Sequence, residues 1–223
     1  MLFRSPEIET ECLSRTNMLK KIRRSDFAVP RGGVLQKTYE ENFVVDTPIG
    51  VLESIEDKII DLCILHPDSN VLDKELIEKT VHRLNKHGQI ILFVDHVHIR
   101  DWEDILKEQG LNISKQPYIW AIKGTSDYQN YLWASKGRDM PIRAIPCLFP
   151  AGRPQKHMHP KAKPLNLISQ IVKCTTERGD FVVVPECYDI DTVRCCVEIG
   201  RNIRAGQINK ILRDKLIMSI TQK

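Results

Sequence analysis

No apolar run in these 223 residues approaches the roughly 18–20 needed to span a bilayer, so no membrane helix is predicted. The opening residues, MLFRSPEIETEC, lack the basic-then-apolar layout of a secretion signal. Seven cysteines, an odd number without Cys-x-x-Cys spacing, suggest neither a disulfide framework nor a zinc ribbon. These absences point to a reducing, intracellular and hence cytoplasmic setting. Internal repeats, low-complexity tracts, a P-loop, a Ser-His-Asp arrangement and a paired-carboxylate site are also missing. The most informative absence is local. Residues 182–193, VVVPECYDIDTV, read as a strand that breaks at a proline and soon re-enters a helix. In α/β proteins such a turn holds phosphates and nucleoside cofactors, and it is normally glycine-rich because the backbone needs positive φ and close approach. Here Glu186, Cys187, Tyr188, Asp189, Ile190 and Asp191 stand in its place, without one glycine.

What is present is ordinary in bulk and uneven in detail. Hydrophobic residues at 42% and charged residues at 28% supply the core and surface of a globular chain. The net charge of +4 hides an asymmetry. Between Glu40 and Lys79 eleven acids face three lysines, whereas Met140 to Thr176 holds no acid and six bases: Arg143, Arg153, Lys156, Lys161, Lys163 and Lys173. After Gly200 the chain is basic again, with Asp214 against Arg201, Arg204, Lys210, Arg213, Lys215 and Lys223. A positive region on a nearly balanced chain fits a nucleic-acid face at Arg153, Lys156, Lys161 and Lys163, and equally a solvated surface.

Periodicity predicts alternating elements. Strands are expected at 59–65, 89–95, 118–124, 128–137, 180–184 and 202–208; helices at 72–88, 102–110, 165–179 and 191–200. Gly88 is read as a C-cap, and 138–164, with six prolines, as mostly loop. A further helix is expected near Ile8–Ile22, with a break at residues 29–33. The alternation implies an α/β fold, one mostly parallel sheet with helices on both faces.

The order of these pieces resembles the permuted, β-type amino-methyltransferases, which methylate adenine N6 or cytosine N4 in DNA. That family reads His-Pro, then a Lys-Pro helix, Gly-Asp, a strand, Asp-Pro-Phe-x-Gly-x-Gly, a helix and Gly-Arg. Here His159-Pro160, Lys163-Pro164, Gly179-Asp180, Pro185, Thr192 and Gly200-Arg201 follow in register. Upstream, residues 51–70 are similar to the stretch ending in the catalytic Asp-Pro-Pro-Tyr, and 84–96 and 128–138 to the strands after it. The likeness covers roughly 45–208. It implies a single Rossmann-like methyltransferase domain over 46–223 behind an N-terminal extension, 1–45. Sequences of this layout are common in phages and other mobile elements, so a phage origin is implied by analogy.

The departures fall on the chemistry. The glycine-rich turn of the family cradles S-adenosylmethionine, and its residues here are Val184, Pro185, Glu186, Tyr188 and Ile190. The acid that holds the ribose hydroxyls in the family corresponds to Gln207. Asp189 or Asp191 is suited instead to cap the helix that follows. The catalytic turn reads His66, Pro67, Asp68 and Ser69. A neutral histidine can accept one amine hydrogen, but Ser69 offers no stacking surface for a flipped-out base. The resemblance therefore implies vestigial catalytic and cofactor motifs, no cofactor, and a fold kept for binding nucleic acid or a protein partner, as regulator, assembly subunit or inhibitor. The alternatives are a non-catalytic subunit of a heteromeric methyltransferase and a divergent active enzyme.

Other groupings have plainer readings. His96 and His98, with Asp95, and the pair His157 and His159 have the residue types of metal ligands but no well-spaced third ligand, so no metal is expected. Trp120, Tyr131 and Trp133 read as core or edge packing rather than base platforms. Cys195 and Cys196 read as buried apolar residues.

Overall fold

The computed structural model describes residues 41–67, 72–116, 118–137, 146–154 and 159–221. Strands β2 (Ile60–Leu65), β3 (Leu84–Val94) and β8 (Phe181–Val184) decide the layering. They are apolar at nearly every buried position, and successive strand residues face opposite sides, so both faces need cover. Leu62, Ile64, Ile91, Phe93, Val182 and Val184 join one buried cluster. Cys63, Leu65, Ile90, Leu92, Phe181 and Val183 join the other. The second cluster is closed by Leu52, Ile77 and Trp102 from α1 (Pro48–Glu53), α2 (Lys74–Arg83) and α3 (Ile99–Glu108). Ile168, Val193 and Ile217 close the first, from α4 (Leu165–Thr175), α5 (Ile190–Glu198) and α6 (Lys210–Thr221). The chain is thus an α/β domain with helices on both faces of one sheet.

Five more strands complete the main path and a sixth sits beside it. These are β1 (Phe43–Val44), β5 (Tyr118–Ile122), β6 (Tyr128–Ser135), β7 (Leu148–Ala151) and β9 (Asn202–Gly206), with β4 (Asn112–Ile113) beside β6. The order is β1-β9-β8-β2-β3-β6-β5-β7. Pairing is parallel from β1 through β3; β6 runs antiparallel to both β3 and β5, and β7 returns parallel to β5. The neighbours β8 and β2 send their crossovers to opposite sides, α5 toward β9 and α2 toward β3. This is the switch point where open α/β sheets leave a crevice beyond their carboxyl ends. Pro185 onward and His66-Pro67 both leave strands at that crevice.

Several predicted boundaries move, for physical reasons. Helix α2 starts at its cap Asp73, which accepts from Leu76 N at 2.8 Å, and ends at Arg83, five residues before the expected Gly88. Leu84 turns extended and pairs with Ile60, and Lys136 Nζ donates to Val81 O at 2.9 Å and Leu84 O at 3.3 Å. Gly88 is therefore a strand residue, not a C-cap. An added Cβ there would lie 2.7 Å from Ile60 O, in a bulge where the register jumps from Ile60–Leu84 to Leu62–Gln89. The expected loop 138–164 contains β7, whose Pro150 is tolerated because β7 is the edge strand. Helix α1 carries a legible start, Thr47 capping and Pro48 following; its brevity hides it. Strands β1 and β4, two residues each, and the terminal helix α6 were not anticipated either. His96 and His98 belong to a 3-10 turn rather than a strand end, and His98 Nδ1 lies 3.3 Å from Asp101. Trp120, Tyr131 and Trp133 are core residues as expected, as are Cys195 and Cys196. The predicted helix near 8–22 and the break at 29–33 lie outside the described residues. No helix among the described residues is long and apolar enough to cross a membrane.

Candidate functional site

The turn after β8 takes ordinary backbone conformations. Among the described residues Lys58 is the one non-glycine at positive φ, so nothing between Pro185 and Ile190 demands glycine. Asp189 starts α5: its carboxylate accepts from Thr192 N at 2.6 Å and from the Lys163 backbone N–H. Burial pushes its pKa up from the usual carboxylate value, an effect opposed by those hydrogen bonds. Ile190, 6% exposed, is the first residue of α5 and packs in the core cluster with Cys187 and Val193. Where the resemblance implies glycines, the chain carries two buried side chains.

Tyr188 is the second. Its ring stacks on His159 at 4.4 Å and 13°, its hydroxyl bonds Glu186, and Lys161 Nζ lies 3.3 Å from that hydroxyl and 5.3 Å from the ring centroid. His159 is held below its usual pKa by burial and by Lys161, with Glu186 opposing, so the stack is of neutral rings. Gln207, 2% exposed, is fully engaged: Nε2 donates to Cys187 O at 3.0 Å and Oε1 accepts from Asn209 N at 3.0 Å. Cys187 N in turn donates to Gly206 O at 2.7 Å. Glycine is required at 206, because an added Cβ would lie 2.3 Å from Val51 Cγ2 and 2.5 Å from Pro185 O. These bonds lace the turn to the end of β9. Val184 itself is a buried strand residue.

The Gly-Arg pair downstream is structural. Gly200, at φ +78, ends α5 with Gly200 N bonded to Val197 O and Arg201 N to Cys196 O, a Schellman arrangement. The Arg201 guanidinium then ties this end to Thr176 at the end of α4.

On the other side of the crevice, His66 follows β2 and stacks on Phe93 at 4.8 Å and 21°. Burial, then Lys163 and Lys161, hold it well below its usual pKa, so it is neutral, and its buried Nδ1 has no partner among the described residues. Pro67 lines the same space; Asp68 and Ser69 lie outside the described residues. Lys163 is not a surface base. It is 6% exposed, with Nζ 5.0 Å from the Phe93 centroid and 5.8 Å from that of Trp120. Burial lowers its pKa to about 8, against the pull of Asp189.

Lys161 and Lys163 line both this inner pocket and an open cleft of about 840 Å³ that also holds Arg153, His159 and Tyr128. Arg153 is exposed and pairs with Asp127. Three of the four predicted nucleic-acid residues thus meet in one cleft, and the fourth, Lys156, lies outside the described residues. Sequence reading missed Phe93, Gln129 and Tyr128 at this site. Phe93 was findable: it sits one position beyond the Leu65–Leu92 pair, level with His66.

No family model matches the chain, and no curated protein matches it. Solved structures do. The M1.HpyAVI–SAM complex aligns with a TM-score of 0.67 at 18% identity, over 80% of this chain and 98% of that one. PvuII DNA methyltransferase, described as cytosine-N4-specific, aligns at 0.62 and 13% identity, over 81% and 90%. The chain has the fold of the DNA amino-methyltransferases.

Proposed function

We propose that this is a methyltransferase-fold protein without methyl transfer of its own, retained for binding nucleic acid through the cleft at Arg153, Lys161 and Lys163. The observation that carries the reading is the closed turn after β8. Tyr188 and Ile190 are buried at the two glycine positions, and Gln207 spends both ends of its amide inside the protein. These residues do not fit an adenosyl group lying along the turn. The nucleic-acid half of the reading is supported by three bases in one cleft and by the acid-free run from Met140 to Thr176.

The test is fluorescence anisotropy with labelled single-stranded and duplex DNA. Affinity is expected to fall steeply with salt, because neutralised phosphates release counterions, and to drop further in Arg153→Glu and Lys161→Glu. Absence of binding at low salt would remove the nucleic-acid half. A protein partner is the second reading, motivated by Ile208, Ile211 and Met218, three exposed apolar side chains on and beside α6. Co-purification of an intact methyltransferase would then make the chain a non-catalytic subunit.

A further inference from the structure

The inner pocket holds a buried ammonium. Lys163 Nζ is buried above two aromatic rings, and among the described residues no carboxylate pairs with it. Asp189 and Asp95 favour its charged form, but Asp95, which lines the same pocket, forms no ion pair with it among the described residues, and the Asp189 carboxylate is spent on Thr192 N and the Lys163 backbone. Lys161 adds a second positive charge, and His66 presents a ring nitrogen with no partner among the described residues. A buried ammonium outside any ion pair and a buried ring nitrogen without a partner are both costly, and one anion would relieve both.

The residue at 66 bears on the charge balance of this pocket. The resemblance implies Asp or Asn at that position, and an aspartate would place a carboxylate in the pocket with Lys163. Histidine, kept neutral, supplies no such charge. We propose that the pocket formed by His66, Phe93, Lys161 and Lys163 is an oxyanion site for a phosphate monoester, belonging either to a free nucleotide or to the end of a nucleic-acid strand. Two lysines facing one small volume call for more than the single charge of a carboxylate. A phosphate monoester supplies up to two, with oxygens for both ammonium groups and for His66. The adjoining cleft, with Tyr128 half-exposed and Gln129 beside it, leaves room for the nucleoside. The site rests on the nucleic-acid reading only where the phosphate ends a strand.

The experiment compares ligand pairs on the full chain by calorimetry and anisotropy: adenosine 5′-monophosphate against adenosine, and a 5′-phosphorylated oligonucleotide against its 5′-hydroxyl twin. The phosphorylated member of at least one pair is expected to bind roughly tenfold tighter or more. Preference within the nucleotide pair identifies a free nucleotide as the ligand; preference within the strand pair identifies a strand end. Monophosphate binding with no affinity for either oligonucleotide would uphold the phosphate site and defeat the nucleic-acid reading. Equal affinities within both pairs would overturn the site. His66→Asp, which restores the internal carboxylate, and Lys163→Gln are both expected to abolish the preference. A folded His66→Asp protein that keeps it would also overturn the site; should that variant not fold, the wild-type pairs still decide.

Discussion

Replacing Ile190 by alanine asks whether the turn after β8 is filled or open. In a cofactor-binding turn this position approaches a ligand and contributes little to the fold. Here Ile190 is 6% exposed and lies in the core cluster with Cys187, Val193 and Cys196. Truncating such a side chain removes its transfer free energy and leaves a cavity, costing about 2–5 kcal/mol. Alanine is the better helix former at this first helical position, which returns only a few tenths of a kcal/mol. A net loss of about 3 kcal/mol corresponds to a fall of roughly 6–12 °C in Tm for a domain of this size. Urea unfolding followed by circular dichroism, with calorimetry for Tm, provides the measurement. An unchanged midpoint would mean that the side chain is not packed and that the turn retains room for a ligand.

Two other substitutions probe the same crevice. Gln207→Glu restores the acid implied by the resemblance but sets a carboxylate against Cys187 O in place of the amide donor, so it is expected to destabilise by about 1–3 kcal/mol. A stabilised variant would show that Gln207 is not tied inward. Lys163→Met tests the buried charge through its pH dependence. The folded pKa, about 8, lies below the unfolded value of 10.5, so between those values the unfolded chain binds more protons and wild-type stability rises with pH. The variant is expected to be the more stable near pH 7, by on the order of 3 kcal/mol, with the gap closing toward pH 10.5. Urea titrations at pH 7 and 10 that show a constant gap would refute the burial of that ammonium.

The fold was legible where local pattern and long-range structure agree. The β-branched run 182–184 and the run 60–65, apolar but for Asp61, fit doubly covered strands, and α5 announced itself by Asp189, its period and Gly200. What stayed hidden depends on partners remote in sequence. Lys136 takes the last carbonyls of α2, so a periodicity that ran on to Gly88 was overruled by a side chain more than fifty residues away. β7 escaped notice because prolines mark loops unless an edge position excuses them. At the site, the absence of glycine was readable, and so was the cap at Asp189. The filling of the turn was not, since Gln207 binds Cys187 across the β8–β9 crossover. Nor could charge counting tell that Lys163, one of several bases in an acid-free run, is buried over Phe93 and Trp120 while Arg153 is exposed and paired.

Titrating the purified chain with S-adenosylmethionine by calorimetry, to millimolar ligand, bears most directly on the closed turn. No saturable heat is expected, because Tyr188 and Ile190 fill the turn and Gln207 is hydrogen-bonded inward. Saturable binding in the micromolar range would contradict that closure and return the chain to the active enzymes whose fold it shares.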